Sequence, residues 1–139
     1  MHVVIREMVA DDYAGAYELW SRTEGIGLSE ADSEDRIRAF LARNPGLSFV
    51  AVDDGRIVGT VLCGHDGRRG YLYHVAVRET HRKQGIGKRL VASALQRLRE
   101  ERIDKCHLFV MRANDLGIRF WSGTGWDRRG GILVFSSAL

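Results

Sequence analysis

The sequence has the length of a single compact domain: 139 residues, of which 45% are hydrophobic, 28% are charged and only one is proline. This composition excludes a disordered, collagen-like or low-complexity chain. No stretch approaches the ~18 consecutive apolar residues that a membrane helix needs, and Arg6 and Glu7 interrupt the start too early for a secretory segment. We therefore expect one domain, residues 1–139, in the cytoplasm and without a membrane partner.

Charge is distributed unevenly along the chain. Lysine and arginine exceed aspartate and glutamate only by 21 to 18, but residues 78–105 hold nine basic and four acidic residues, whereas residues 24–35 hold five acidic residues and no basic one. A charge run is most often a solvated surface, and it can also steer a ligand of opposite charge. Residues 78–105 therefore favour anionic ligands, and residues 24–35 favour cationic ones.

The first half of the chain predicts a strand, two helices and the start of a sheet. Residues 3–8 are rich in β-branched types, and Asp11 or Asp12 can cap a helix whose apolar residues recur at helical spacing up to Trp20. Ser33 can cap a second, short helix that ends before Pro45. Strands at residues 47–52, 56–63 and 71–77 follow, and glycine-containing turns between them favour an antiparallel meander.

The second half begins with the clearest helix, at about residues 85–101, which carries Leu90, Val91, Ala94 and Leu98 on one face. A strand at 105–111, a helix at 116–122 and two closing strands at 126–129 and 132–135 complete the order βααβββαβαββ. Cys63 and Cys106 each lie in an apolar run typical of a strand and are interpreted as core residues. The five histidines show no ligand spacing with them, so no metal is expected.

The turn that opens the long helix predicts an anion site. Its two glycines let a ligand approach the backbone, the first helical turn offers free N–H groups, and Arg82, Lys83 and Lys88 add full positive charges. The spacing excludes two common phosphate motifs: a Walker loop needs glycine at position 82 and Ser or Thr at 89, and a dinucleotide fingerprint needs glycine at 90. A ligand with two or three phosphates remains favoured.

Two groups of residues around this helix carry a resemblance to a known family. Val75-Ala76-Val77 followed by Arg82-x-x-Gly85-x-Gly87 resembles the acyl-CoA pyrophosphate loop, Q/R-x-x-G-x-G/A, of the GNAT superfamily of N-acetyltransferases. Asn114 and the later Phe120-Trp121-x-x-x-Gly125-Trp126 are similar to the closing segment of that family. In finer detail, residues 58–61 and 66–70 resemble a small bacterial subgroup related to ribosomal-protein N-terminal acetyltransferases.

The resemblance implies an α+β (by some schemes α/β) GNAT fold with about four helices and a mixed central sheet of about seven strands, in which the fourth and fifth strands splay apart. It implies acetyl-CoA as cosubstrate. The pantetheine arm would fill the gap and pair with the backbone around Ala76, at Val75 and Val77, and Asn114 would anchor it. The residues expected to hold the pyrophosphate are Arg82, Lys83, Gln84, Gly85, Ile86, Gly87 and Lys88.

The implied reaction is direct attack of an unprotonated primary amine on the thioester, with a backbone N–H near Val75 polarising the carbonyl. Two positions depart from the family pattern. Trp121 stands where many members have a tyrosine that protonates the leaving thiolate; indole donates a hydrogen bond but no proton, and a thiolate of pKa ~8.5 can leave unaided. Trp121 is therefore either a donor to the thiolate or a packing residue.

The second departure concerns the base. Alternation places Tyr71, Tyr73, Val75 and Val77 on one face of their strand, and relatives often have Glu or His where this chain has the two tyrosines. Phenols near pKa 10 are poor bases at neutral pH. We expect deprotonation through water, oriented by Tyr73, or by a carboxylate of the acidic region, Glu24 or Glu30.

The acidic region would attract a small-molecule amine or a peptide N-terminus. A homodimer is left open, and no nucleic-acid partner is expected because aromatic residues do not interleave with the basic ones. The alternative function is a non-catalytic acyl-CoA sensor or interaction module, because both departures fall on proton-transfer positions and none on the cofactor loop.

Overall fold

The computed structural model describes residues 2–139 and divides into two compact units, the first ending at Phe109 and the second being Val110–Leu139. The N-terminal unit holds a sheet in the order β1 (Val3–Glu7), β2 (Phe49–Asp53), β3 (Arg56–His65), β4 (Gly70–Val77) and β5 (Cys106–His107). It also holds the helices α1 (Tyr13–Ser21), α2 (Glu34–Arg43) and α3 (Ile86–Glu100), and the C-terminal unit contains α4 (Asp115–Gly123). The α+β class with a mixed sheet and four helices is confirmed.

The sheet of the N-terminal unit is mixed. Strands β1 to β4 pair antiparallel, as the predicted meander requires, and β5 pairs parallel to β4. The parallel pairing involves only Gly70 with Cys106 and Tyr71 with His107. Beyond Tyr71, therefore, no strand of the described part pairs with the outer edge of β4.

The expected number of about seven strands is wrong, because residues 2–139 form five. The strand predicted at 105–111 is reduced to Cys106–His107, and the segments 126–129 and 132–135 do not form strands. A strand needs a neighbouring backbone to satisfy its N–H and C=O groups. The apolar pattern of 132–135 is not buried on either face, since Leu133 is 83% and Phe135 89% exposed.

Side-chain capping supports α2 but not α1, where the predicted cap is wrong because the Asp12 carboxylate accepts the Val9 amide and binds Arg6. The hydroxyl of Ser33 accepts the Arg36 amide at the start of α2, as expected for an N-cap. The buried residues of α3 include the predicted apolar face, Leu90, Val91, Ala94 and Leu98. None of the helices within residues 2–139 is both long and apolar enough to cross a bilayer.

Helices cover both faces of the sheet. Thr60 of β3 accepts the indole N–H of Trp20 from α1, whereas a side chain added at the adjacent Gly59 would meet Leu90 of α3. Because consecutive strand residues point to opposite faces, α1 and α3 lie on opposite sides of the sheet. The core on the α1 side also contains Leu62 and Ala76, the latter from β4.

A bulge in β4 changes which residues share a face. The pairing of β3 with β4 shifts between Thr60, which faces Ala76, and Leu62, which faces Tyr73. Residue 61 of β3 is therefore matched by the two residues His74 and Val75, the pattern of a β-bulge. The ring of Tyr73 contacts Phe40 of α2 and that of His74 contacts Trp20 of α1, so these consecutive residues point to the same face. The predicted alternation through Val75 and Val77 is wrong after Tyr73.

Candidate active site

The connection between β4 and α3 presents a row of unpaired backbone donors. Within residues 2–139, none of the six consecutive amides of residues 83–88 donates a hydrogen bond, and the first amide of the region that does is that of Arg89, to the Gly85 carbonyl. Three or four free amides are expected at any helix N-terminus. Here the row extends back into the loop, which makes a larger cradle for an anion.

The conformation of the loop explains this row. Lys83 and Gly85 both have left-handed backbone, with φ of +62° and +80°. Successive residues of opposite handedness turn their N–H groups toward one concave side, which is the geometry of an anion nest. The side chains of Arg82, Lys83 and Lys88 are exposed around it, while Ile86 is buried and holds the helix against the core.

The outer edge of β4 lies directly before this loop. The Arg78 amide donates to the Val58 carbonyl of β3, and Ala76 is paired with Thr60 of the same strand. Because alternate residues of an antiparallel strand turn their backbone groups to one neighbour, the amides of Val75 and Val77 point to the edge away from β3. The Val77 carbonyl is already bound by Arg82 Nε at 3.2 Å.

A cleft of about 430 Å³ lies between the end of α1 and the end of β4. Four arginines line it: Arg22, Arg56, Arg78 and Arg82. Arg78 is buried, and it donates to the Glu18 carboxylate at 2.7 Å and to the Ile57 carbonyl at 3.0 Å. Its Nε is buried without a partner. The positive charge near the loop therefore includes residues that the motif did not indicate.

The acidic region reaches β4 through Asp32, which the sequence analysis did not single out. Asp32 ends a 3-10 turn, Glu30–Asp32, and its Oδ1 lies 2.6 Å from Nε2 of His74. The sequence indicated Asp32 only as one member of an acidic run. It indicated His74 only as one of five histidines without an assigned role. The bulge that turns His74 toward this region is set by strand pairing, so no local signal indicated it.

Two of the predicted proton-transfer residues of the N-terminal unit are close to this pair in the chain, since Tyr73 precedes His74 and Glu30 lies two residues before Asp32. Tyr73 is 40% exposed, and burial of the rest of its side chain raises its pKa, so even less of it is ionised at neutral pH than of a free phenol. Glu24 and Glu30 are exposed and form no hydrogen bond or ion pair through their carboxylates within residues 2–139. The loop thus brings Asp32, and not Glu30, into contact with β4.

The C-terminal unit contains the other two predicted site residues. Asn114 caps α4, and its Oδ1 accepts the Gly117 amide at 3.0 Å. The ring of Trp121 packs edge-on against Phe120 and Trp126, with both centroids 4.9 Å away. Both residues therefore have a structural role within this unit, whatever else they bind.

The two cysteines are unsuited to nucleophilic chemistry. Cys63 is fully buried and Cys106 partly so, and neither forms a disulfide. Burial raises the pKa of the Cys63 thiol to about 12 and that of Cys106 to about 11. Because only the thiolate is nucleophilic, neither thiol is reactive at neutral pH.

Comparison with known proteins agrees with this arrangement. Residues 13–126 match the Acetyltransferase (GNAT) family. An acetyltransferase of Photorhabdus laumondii is 32% identical over 136 residues, which are 97% of this chain and 94% of that protein. The NatC complex bound to Gag peptide and CoA contains a similar chain with a TM-score of 0.78 and 25% identity, covering 93% of this chain and 87% of that one.

A second similar structure contains a bisubstrate analogue. It is AAC(6')-Iy in complex with a bisubstrate analogue, CoA-S-monomethyl-acetylneamine, with a TM-score of 0.78 and 17% identity over the whole of both chains. The chain belongs to the GNAT family of acetyltransferases. It is an N-acetyltransferase and acetyl-CoA is its cosubstrate, so the predicted enzyme class and cosubstrate are confirmed.

Proposed function

We propose that the protein transfers the acetyl group of acetyl-CoA directly to a primary amine, either a small molecule or a peptide N-terminus, and that the chain is a single N-acetyltransferase domain. The observation that carries this proposal is the row of six unpaired amides at residues 83–88 beside the open edge of β4. The amides offer a site for the diphosphate, and the neighbouring strand edge offers a site for the pantetheine arm. The two sites adjoin one another, as these two parts of coenzyme A do.

In this arrangement the N-terminal unit positions the thioester. The amides of Lys83, Gln84, Gly85, Ile86, Gly87 and Lys88 bind the pyrophosphate, assisted by the charge of Arg82. The edge of β4 around Ala76 pairs with the pantetheine arm through the amides of Val75 and Val77. The Val75 N–H then points toward the thioester carbonyl and stabilises the negative charge that develops on its oxygen.

Direct attack is supported by the state of the two cysteines. A covalent route through an acyl-cysteine is disfavoured, because burial holds both thiols protonated at neutral pH. The amine nitrogen therefore attacks the carbonyl carbon itself, the C–S bond breaks, and CoA leaves as the thiolate.

The acceptor is proposed from charge and from relatives. Five carboxylates within residues 24–35 attract a cationic amine. Among similar structures, one is bound to a peptide and another to the bisubstrate analogue CoA-S-monomethyl-acetylneamine. Either an alkyl amine or a peptide N-terminus fits this chemistry.

The remaining predicted residues have subsidiary roles in the proposal. Asn114 anchors the pantetheine arm, and the indole N–H of Trp121 donates a hydrogen bond to the departing thiolate. Tyr73, at the exposed side of β4, orients a water molecule near the amine, and Glu30 helps to attract the acceptor.

The experiment is a two-substrate kinetic analysis of the full chain. Release of the CoA thiol is measured with a panel of primary amines and short peptides that have free N-termini, while both substrate concentrations vary. We expect turnover with at least one class and intersecting double-reciprocal lines, as direct attack requires a ternary complex. Parallel lines would indicate an acyl-enzyme and contradict the mechanism. Binding of acetyl-CoA without turnover on any amine would contradict the proposed acceptor class.

A further inference from the structure

The His74 and Asp32 side chains form a contact that fixes the state of the imidazole ring. Nε2 of His74 lies 2.6 Å from Asp32 Oδ1, and the other carboxylate oxygen accepts the Ser29 amide at 3.0 Å. An ionised carboxylate only accepts hydrogen bonds. A neutral ring bound in this way carries its proton on Nε2, which leaves a lone pair on Nδ1.

The lone pair on Nδ1 of His74 is available to accept a proton. It makes no hydrogen bond within residues 2–139, although the side chain is only 14% exposed. Arg78 Nε is the one side-chain nitrogen or oxygen of the described residues that is both buried and unpaired. Nδ1 of His74 therefore retains some contact with solvent.

His74 is adjacent in the chain to the expected reaction centre. His74 directly precedes Val75, whose amide points to the open edge of β4. It has a φ of +50°, in the left-handed region that a non-glycine residue seldom adopts. The Thr60 hydroxyl donates to its carbonyl oxygen at 2.7 Å and holds the bulge in place. Strained backbone of this kind persists where the surrounding structure over-determines it, often at functional sites.

We propose that His74 is the general base of the reaction and that Asp32 is its positioning residue. This inference rests on the proposed function. The ammonium form of the acceptor loses one proton to Nδ1 of His74, directly or through one water. The resulting neutral amine attacks the thioester carbonyl, the C–S bond breaks, and the nitrogen loses its second proton as the amide forms. One proton ends on the CoA thiol and one in solvent.

The groups that face the ring are consistent with this role. Asp32 is the one carboxylate in hydrogen-bond contact with it among residues 2–139. From α1, Trp20 packs edge-on at 4.7 Å, and the titratable side chains nearby are Tyr13, which donates to the Asp32 carbonyl, and Tyr17. From β4, Tyr73 is held protonated by its raised pKa.

The same contact could serve only to tie the acidic loop to the sheet, and the two roles predict different pH profiles. The test measures kcat/KM from pH 6 to pH 10 with the best acceptor found for the wild type. Variants are His74→Gln, whose amide can still donate to Asp32, His74→Asn, which tolerates left-handed backbone, and Asp32→Asn. His65→Gln is the matched control, because His65 Nε2 also binds a carboxylate, that of Glu101, at 2.7 Å.

We expect both His74 variants to lose about 100-fold in kcat/KM at pH 7, within the usual range for a general base. The loss should shrink to below about fivefold near pH 10, because an alkyl amine then deprotonates without help. Asp32→Asn should show a smaller loss with the same dependence on pH, because an amide can donate to Nε2 and so leave the ring proton on Nδ1. The Kd for acetyl-CoA should stay within about twofold in every variant, and His65→Gln should follow the wild type throughout.

A loss of equal size at every pH, or wild-type rates in both His74 variants, would overturn the inference. These outcomes differ from failure of the proposed function, in which the wild type itself would transfer no acetyl group to any amine. If His74→Gln does not fold, His74→Asn provides the test: its loss in kcat/KM at pH 7 is compared with its loss near pH 10.

Discussion

The hydroxyl of Thr60 connects two buried groups: it donates to the His74 carbonyl at 2.7 Å and accepts the Trp20 indole N–H at 2.9 Å. Thr60 is fully buried. The Thr60 side chain thus provides a hydrogen-bond partner for the His74 carbonyl, which the bulge of β4 removes from the regular ladder. It also provides one for the indole nitrogen, which is the only polar atom of the buried Trp20 side chain. The geometry of the bulge depends on it.

Replacement of Thr60 by valine keeps the shape of the side chain and removes both hydrogen bonds. We expect a loss of about 2–3 kcal/mol in the free energy of unfolding, since two buried groups are left unpaired. Urea unfolding followed by tryptophan fluorescence measures it. Thr80→Val, at an exposed threonine, should change the free energy by less than about 0.5 kcal/mol. Equal effects of the two substitutions would contradict the assigned role of Thr60.

Substitution of Gly85 by alanine tests whether the loop amides bind the cosubstrate. A Cβ at Gly85 would meet no atom within 4 Å, but its φ of +80° is costly for alanine. We expect a loss of about 1–2 kcal/mol in stability and a rise of about tenfold in the Kd for acetyl-CoA, as the amides reorient. Calorimetric titration measures the second effect.

Gly55 offers a matched control in the turn between β2 and β3. It has a φ of +77° and open space around its Cβ position. Gly55→Ala should cost a similar free energy of unfolding and leave the Kd for acetyl-CoA unchanged. An equal change of Kd in both variants would show that backbone strain, and not loss of a binding amide, is responsible.

Reversal of charge at Lys83 and Lys88 tests the electrostatic part of the same site. Each flanks the unpaired amides and is exposed. We expect the double variant to the two glutamates to raise the Kd for acetyl-CoA by about 100-fold at low salt, at roughly 1.4 kcal/mol per position. The effect should shrink as ionic strength rises. Lys105→Glu is the control, and affinity that is untouched by the double change would remove the loop from the binding site.

The Arg6–Asp12 pair should make stability depend on pH in the acid range. Burial pushes the pKa of Asp12 upward, but the two Arg6 hydrogen bonds of 2.8 Å and the Val9 amide outweigh it, so the pKa is lowered overall. A carboxylate with a lowered pKa contributes stability that is complete above its unfolded pKa of ~3.9 and is lost as pH falls through the folded value.

Arg6→Met should therefore destabilise the protein at pH 7 by about 1–2 kcal/mol, and the difference from the wild type should decrease below about pH 4. Urea titrations at several pH values measure the difference. Arg38→Met, which breaks an exposed pair with Glu34, is expected to have little effect at any pH. A difference that does not change with pH would contradict the assigned ion pair.

The positions of the helices and of the loop at residues 83–88 were predictable because they depend on nearby residues. Ser33 caps α2 within one turn, and the apolar face of α3 repeats at helical spacing. The row of free amides at residues 83–88 follows from a helix start, two glycines and their flanking cations, all within seven residues. Short-range interactions of this kind can be inferred from the local sequence.

The proposed general base was not predictable in this way. Asp32 and His74 are 42 residues apart, and they meet only because β4 bulges opposite residue 61 of β3 and turns His74 to the face of Tyr73. Strict alternation predicts the opposite face. The prediction of two closing strands was wrong for a related reason, since an apolar segment becomes a strand only where a neighbouring backbone pairs with it. The sequence alone thus determined the helices and the anion loop, whereas strand pairing in the tertiary structure decided which titratable side chains share the site.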